Sequence, residues 1–398
     1  MKDDTQREPT PELPAEARDT ACPVRAVRSG SSGRTGYLVT GYAAARQALG
    51  DPRLSKDTAA YFAGKDSGRR LHPAVTRTML ASDPPHHTRL RALVTRAFTT
   101  GAVTAMRPFI SQVTDTLLDR WPAQGQVDVV ADLALPLPVT VICGLLGVPE
   151  ADRPEVARWS AELFAAGRPE LIDDASHAMA AYMTDLIADK RSRPGDALLD
   201  RLVSVRDGED RLSEDELVSL AVLLLVAGHE TTTHFIGSAL LALLQQPSEM
   251  AGLRRDPGRV PGALEELLRH SSPVSTATFR YATETFTLGG TEIPAGAPVQ
   301  VAIKAADHDP DRWSPCPGRL DLERNAAGHL AFGHGIHRCL GAPLARAEAE
   351  IALRAILTRF PELRLAVPPE QLAWRPTRLV RGLVALPVLV RAGSPDRP

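Results

Sequence analysis

The sequence predicts a mainly α-helical fold with small β-sheets, on three observations. Helical periodicity dominates from Thr88 to about Arg269. Inside that stretch no proline interrupts the chain from Ser213 to Pro247, enough for one helix of roughly 45 Å at 1.5 Å per residue. Strand-like runs are confined to the flanks, at Tyr37-Leu-Val-Thr40, Thr285 to Ile293 and Gly382 to Val390.

Taken in order, residues 1–23 are polar, acidic and proline-bearing and predict a tail without a signal peptide or membrane anchor. Residues 24–390 are expected to form a single domain and 391–398 a short C-terminal tail. After the first strand signal an alanine-rich helix runs from Tyr42 to Leu49 and is closed by Gly50. Helices over Pro138 to Gly147 and Asp173 to Lys190 are separated by breakers at Pro149, Pro154, Gly167 and Pro194-Gly195. Ser213-Glu-Asp-Glu216 is a capping box that opens the long helix. Its apolar run, Leu217 to Ala227, is far short of the ~20 residues that span a bilayer, so it predicts a buried helix. Gly289-Gly290 marks the turn of a hairpin over Thr285 to Ile293. There is no internal repeat and no low-complexity tract.

With 46 basic and 48 acidic residues in 398, the chain has no charge excess of the kind that binds nucleic acid or a membrane surface. Cys22, Cys143, Cys316 and Cys339 lack paired spacing and fit a reduced, cytoplasmic protein better than a disulfide framework.

Two stretches are poorly explained by folding propensity. The first, Ala227-Gly-His-Glu-Thr-Thr-Thr-His234, places a glycine, an acid and three β-branched alcohols in the middle of the long helix. Leu220, Leu224, Ala227, Gly228 and Thr231 share one face there. Back-bonding to a carbonyl one turn earlier is the structural reading of a helical threonine. The second, His329-Leu-Ala-Phe-Gly-His-Gly-Ile-His-Arg-Cys-Leu-Gly341, places Cys339 between a glycine-rich loop and a helical stretch, Leu340 to Phe360, with Pro343 in its first turn. Helix N-terminal N–H groups lower a thiol pKa, as metal ligation requires, and Gly341 lets the backbone approach the sulfur. Zinc held by His329, His334, His337 and Cys339 is the rival, although their spacing matches no usual zinc motif. A buried structural cysteine is the third reading.

Phe332-Gly-His-Gly-Ile-His-Arg-Cys-Leu-Gly341 resembles the haem-binding loop of the cytochromes P-450, matching Phe-Gly-x-Gly-x-His-x-Cys-x-Gly at every fixed position. The resemblance implies the cytochrome P-450 fold, with haem b between the long central helix and the cysteine loop. Cys339 would be the thiolate ligand of the iron, with Phe332, Gly333, His337 and Gly341 around the cofactor. Ala227-Gly228-x-Glu230-Thr231 is similar to the family's central-helix motif. That likeness implies that Ala227 and Gly228 face the haem, that Gly228 leaves room for dioxygen, and that Glu230 and Thr231 are an acid-alcohol pair passing protons to it. His229 and His234 read as solvated or packed.

The resemblance also places His87, Arg91, Arg280 and His337 at the haem propionates. It implies a buried charge network of Glu266, Arg269 and Arg319, the last in Pro317-Gly-Arg-Leu320. Segments similar to the family's pocket walls are apolar or small: Met79-Leu80, Ala165-Ala166, the Leu220, Leu224 and Ala227 face, Val274 to Ala277 with Thr276, and Leu379-Val380. The expected enzyme is a cytoplasmic, monomeric monooxygenase. It would hydroxylate or epoxidise a bulky lipophilic molecule of macrolide, polyketide, terpenoid or steroid type in secondary metabolism. Ferredoxin and ferredoxin reductase would supply its electrons, with Arg89, Arg338 and Arg346 as a basic docking patch. The alternatives are oxidative C–C or C–O coupling within the same family and a non-catalytic haem redox or sensor protein.

Overall fold

A computed structural model of the chain describes residues 22–28, 35–64, 70–164, 168–206, 212–375, 377 and 379–393. Almost all of the tail predicted over 1–23 and most of that over 391–398 therefore lie outside the described residues.

The strands are β1 (Val24–Arg28), β2 (Thr35–Val39), β3 (Leu54–Ser55), β4 (Gln124–Asp128), β5 (Arg280–Ala282), β6 (Phe286–Leu288), β7 (Thr291–Ile293), β8 (Pro298–Val301), β9 (Glu362–Leu365) and β10 (Pro387–Arg391). They form a five-stranded sheet in the order β1-β2-β8-β5-β3, a three-stranded sheet in the order β4-β10-β9, and the two-stranded hairpin β6-β7. Among the described strands only β2 and β8 pair in parallel, Tyr37 with Val299, and helices and loops separate them in sequence. The hairpin turn is where expected: Gly289 at φ 54° and Gly290 at φ 80° supply the two left-handed residues of a primed turn.

Two strand expectations need correction. β4 interrupts the stretch in which helical periodicity dominates, and its pairing with β10 starts at Gln124↔Arg391. Its Gly125 and Gln126 carry no strand signal, so a partner remote in sequence decides the conformation. The C-terminal strand begins at Pro387 rather than Gly382. The Tyr42–Gly50 helix and those over Pro136–Leu146 and Pro169–Ser192 agree with the sequence reading.

The long helix, Glu214–Leu244, has 31 residues. Its capping box is formed: the Glu216 N–H donates to Ser213 Oγ at 3.1 Å and the Ser213 N–H to Glu216 Oε2 at 2.9 Å. The helix is long and apolar enough to cross a membrane by composition, but 72% of its most apolar window is buried inside the fold. It packs against the helices over Pro136–Leu146, Pro169–Ser192, Val260–Ser271 and Ala342–Arg359. A helix enclosed on nearly all sides explains its near-uniform apolarity. This arrangement fixes the Ala227 to His234 segment at the centre of the main core.

Candidate active site

The cysteine loop is built by glycines. Gly333 and Gly335 hold φ 70° and 75°, and at Gly335 a Cβ would fall 2.8 Å from the Leu49 carbonyl oxygen, so only glycine fits. One 3-10 turn over Gly335–His337 follows, and the Cys339 N–H donates to the Phe332 carbonyl at 2.8 Å. The helix after it, Ala342–Arg359, begins at its Gly341 cap. Cys339 is accessible to solvent although protein surrounds it on most sides. Burial pushes its thiol up, outweighing the Gly341 N–H and the guanidinium groups of Arg91, Arg338 and Arg346. The expected lowering by the helix N-terminus is present but loses to desolvation; a bound cation at the sulfur would reverse that balance.

The Gly341 N–H reaches the Cys339 sulfur, as the sequence implies. Neither Gly341 nor Gly333 would bring a Cβ within 4 Å of any other protein atom, so their open side leaves space beside Cys339. The zinc set does not assemble. His329 Nε2 lies 3.2 Å from Glu265, His337 stacks on His87 with ring centroids 4.1 Å apart, and no cluster of three metal-binding side chains exists among the described residues.

The middle of the long helix has an open edge. Ala227 is exposed and Leu223, Val226, Gly228 and Thr231 are half-exposed in an otherwise buried segment. Leu220 is fully buried and Leu224 nearly so, placing the open edge one residue round from the predicted face. The Thr231 hydroxyl makes no hydrogen bond among the described residues, so back-bonding does not explain it. Gly228 has a packing role that the sequence did not show. A Cβ there would fall 2.7 Å from Ile142, so its lack of a side chain also serves close helix packing.

Five bases converge in one region. His87 is 2% exposed and neither ring nitrogen has a partner among the described residues. Burial, then the charges of Lys56, His87, Arg280 and Arg91, push His337 down to about 2. Arg280 Nη1 donates to the Thr278 carbonyl at 2.9 Å, and Arg91 Nη2 to the Arg338 carbonyl at 2.7 Å. Lys56, which the sequence reading missed, is 2% exposed with Nζ 2.6 Å from Thr278 Oγ1. Three crowded cations beside a buried imidazole whose two nitrogens lack partners call for a dianion. Haem b fits these residues: Cys339 as iron ligand, open glycines beside it, the Ala227 edge for its flat body, and the five bases for its two carboxylates.

The charge network differs from expectation in one member. Arg269 and Glu266 are completely buried and joined by two bonds of 2.6 and 2.8 Å. Arg319 is exposed and offers only its carbonyl, 3.3 Å from Arg269 Nη2. The third side chain is Arg324, whose Nε lies 3.3 Å from Glu266 Oε1 and whose guanidinium also donates to the Trp313 carbonyl. Pro317-Gly-Arg-Leu320 turns Arg319 to solvent while Leu320 takes the buried position.

Predicted pocket walls come together in part. Val274 and Val380 form an isolated antiparallel bridge, and the Ser275 N–H donates to the Leu379 carbonyl at 3.1 Å. Thr276, Val380 and Met79 are buried, whereas Leu80, Val274, Ala277 and Leu379 are half-buried. Ala165 and Ala166 lie outside the described residues. The basic patch is reduced: Arg346 is tied bidentately to Glu265 at 2.7 and 2.8 Å over the Phe332 ring, and Arg89 pairs with Glu216 of the capping box.

Glu230 is buried, with Arg375 Nη1 3.0 Å from its Oε2, His234 Nε2 3.4 Å from the same oxygen, and His229 Nε2 3.8 Å from Oε1. Burial pushes the carboxyl up, but His234, Arg375 and His229 together hold it below its usual range. From sequence His234 reads as solvated or packed, and Arg375 is not singled out. The four-residue spacing of Glu230 and His234 was the available sign of the first.

The family model described as Cytochrome P450 matches residues 260–384. "Cytochrome P450 107B1" of Saccharopolyspora erythraea is 47% identical over 373 residues, 92% of either chain. "6-deoxyerythronolide B hydroxylase" of the same organism is 44% identical over 385 residues, 94% of either chain. Among solved structures, the tirandamycin C-bound P450 monooxygenase TamI is 46% identical, covers 92% of this chain and 94% of its own, and superposes with a TM-score of 0.86. With near-full-length identity of this order beside a cysteine loop and a base cluster suited to haem, the chain belongs to the cytochrome P450 family and is a haem-dependent monooxygenase.

Proposed function

We propose that residues 24–390 hydroxylate or epoxidise a bulky, mostly apolar small molecule of macrolide or polyketide type in secondary metabolism, with electrons from a ferredoxin and its reductase. The observation that carries this reading is the open edge of the long helix. Ala227 is exposed there between half-exposed Leu223, Val226 and Thr231, with no charged side chain among them. An apolar ligand loses little hydration on entering such surroundings. A carboxylate would find no cation there and remain costly to bury. The names of relatives that act on 6-deoxyerythronolide B or bind tirandamycin C support the substrate class.

Haem, when bound, supplies the iron at which dioxygen is reduced. Cys339 would hold the iron, and the five bases would orient the porphyrin carboxylates. Thr231 presents its hydroxyl proton at the open edge, and Glu230 is the reservoir behind it. Thr231→Ala is expected to leave substrate binding nearly unchanged while lowering product per electron and raising peroxide release. Coupling as tight as in the parent would contradict this role.

A panel of macrolides, polyketides, terpenoids, steroids and short fatty acids tests the substrate class through the haem spin-state shift on titration. The large apolar scaffolds should shift it most. Strongest shifts with small anionic molecules would overturn the proposal. Arg338 is the member of the predicted patch without an ion pair among the described residues. Arg338→Glu should raise the apparent ferredoxin constant, most at low salt, and leave peroxide-driven turnover unchanged. Equal loss in both assays would rule out docking there.

A further inference from the structure

Residues 70–77 form a strap between two helices and lead directly into Met79-Leu80, which are expected to wall the pocket. Hydrogen bonds tie the start of the strap to the helix Pro169–Ser192. The Arg70 N–H donates to Asp173 Oδ2 at 3.0 Å, His177 Nε2 donates to the Arg70 carbonyl at 2.8 Å, and the His72 N–H donates to Ser176 Oγ at 3.0 Å. The other end lies on the long helix, where Ser219 Oγ donates to the Arg77 carbonyl at 3.0 Å. Between them Ala74 is buried in the main core.

The middle of the strap is one helical turn, Pro73–Thr76, capped by His72, whose Nδ1 accepts from the Ala74 N–H at 3.1 Å. A neutral imidazole has one accepting nitrogen, whereas an imidazolium carries N–H on both. The cap therefore exists only while His72 is neutral. His177 differs, because it donates to a carbonyl and can do so in either state. The two rings stand edge to face with centroids 5.3 Å apart, so charging both adds repulsion. Among the described residues, the charged groups around this contact are Asp173 and His177 on the helix Pro169–Ser192, Asp215 in the first turn of the long helix, and Arg70 and Arg77 on the strap itself. Burial and then His177 hold His72 below the ordinary imidazole value, against the pull of Asp215. The closed strap thus binds fewer protons than the open one, and acid favours opening.

We propose that neutral His72 is the latch of this strap, and that a proton added to its Nδ1 removes the cap, repels His177 and frees residues 70–77, opening the pocket beside Met79. The step is a reversible proton transfer from solvent to Nδ1, with no other covalent bond made or broken. His177 stays with the helix Pro169–Ser192 and is the fixed side of the latch. That the strap covers the pocket rests on the reading of Met79-Leu80 as a pocket wall; the latch itself stands on the hydrogen bonds alone.

The haem-loaded full chain tests both parts. Hydrogen exchange of the peptide covering residues 70–77, corrected for the intrinsic effect of pH, should quicken about fivefold from about pH 7.5 to about pH 5.5, the factor a helix cap is ordinarily worth. Exchange in the long helix should not change. His72→Asn should abolish the pH dependence, because an asparagine oxygen accepts the Ala74 N–H without titrating. The binding rate of phenyl isocyanide, a neutral apolar ligand of haem iron, should rise by the same factor in the parent and stay constant in His72→Asn. A parent strap without pH dependence, one matched by the long helix, or an equal one in His72→Asn would overturn the latch. A binding rate that ignores pH while the strap opens would instead overturn its place over the pocket.

Discussion

Cys339→Ser is expected to abolish the strongly red-shifted Soret band that the reduced, carbon-monoxide-bound parent should show, and to lower haem retained through purification. A serine hydroxyl does not ionise near neutral pH and gives iron no thiolate electron density. In the protein alone burial pushes the Cys339 thiol up, so the charge of the iron must hold the thiolate. The Gly341 N–H and the nearby arginines then favour the same ionised form. The surrounding loop does not depend on the sulfur, because its turns are closed by backbone bonds such as the Cys339 N–H to the Phe332 carbonyl. The variant should therefore fold. About one zinc ion per chain without haem in the parent would contradict the assignment of Cys339.

Arg269→Ala should be the most destabilising single change in the charge network, lowering unfolding free energy by about 3–5 kcal/mol. The side chain is wholly buried and serves Glu266 together with the carbonyls of Asp307, Pro317 and Arg319. Its removal leaves a buried carboxylate with only Arg324 and the Asp321 N–H as partners. Urea unfolding of the haem-loaded chain measures the loss. Arg319→Ala, at an exposed side chain, should stay within about 0.5 kcal/mol of the parent, and Arg324→Ala should cost distinctly more. Equal losses in the last two would restore Arg319 to the network.

The sequence was most informative where chemistry is local. The capping box at Ser213, the glycine turn at Gly289-Gly290, the cysteine loop and the Glu266–Arg269 pair depend on residues within a few positions of one another, and all are formed. Long-range partners were harder to read. Lys56, Arg324 and Arg375 reach their sites from segments with no distinguishing pattern, and the choice between Arg319 and Arg324 depends on which way one turn faces. Gly228 illustrates a second limit: its position in the helix was clear, but only the packed Ile142 reveals why glycine is required. The open face of the long helix was displaced for the same reason, since periodicity defines a stripe and the neighbouring helices decide which edge of it they cover.

The most direct measurement is the mass of the product formed under isotopically labelled dioxygen, using the large apolar compound that gives the strongest spin-state shift. A monooxygenase working through the Cys339 haem should place one labelled oxygen atom in each product molecule, with the Glu230→Gln and Thr231→Ala variants forming the same product in lower yield per electron. A product without label, or one in which a new carbon–carbon or carbon–oxygen bond joins two parts of the substrate without added oxygen, would contradict the account.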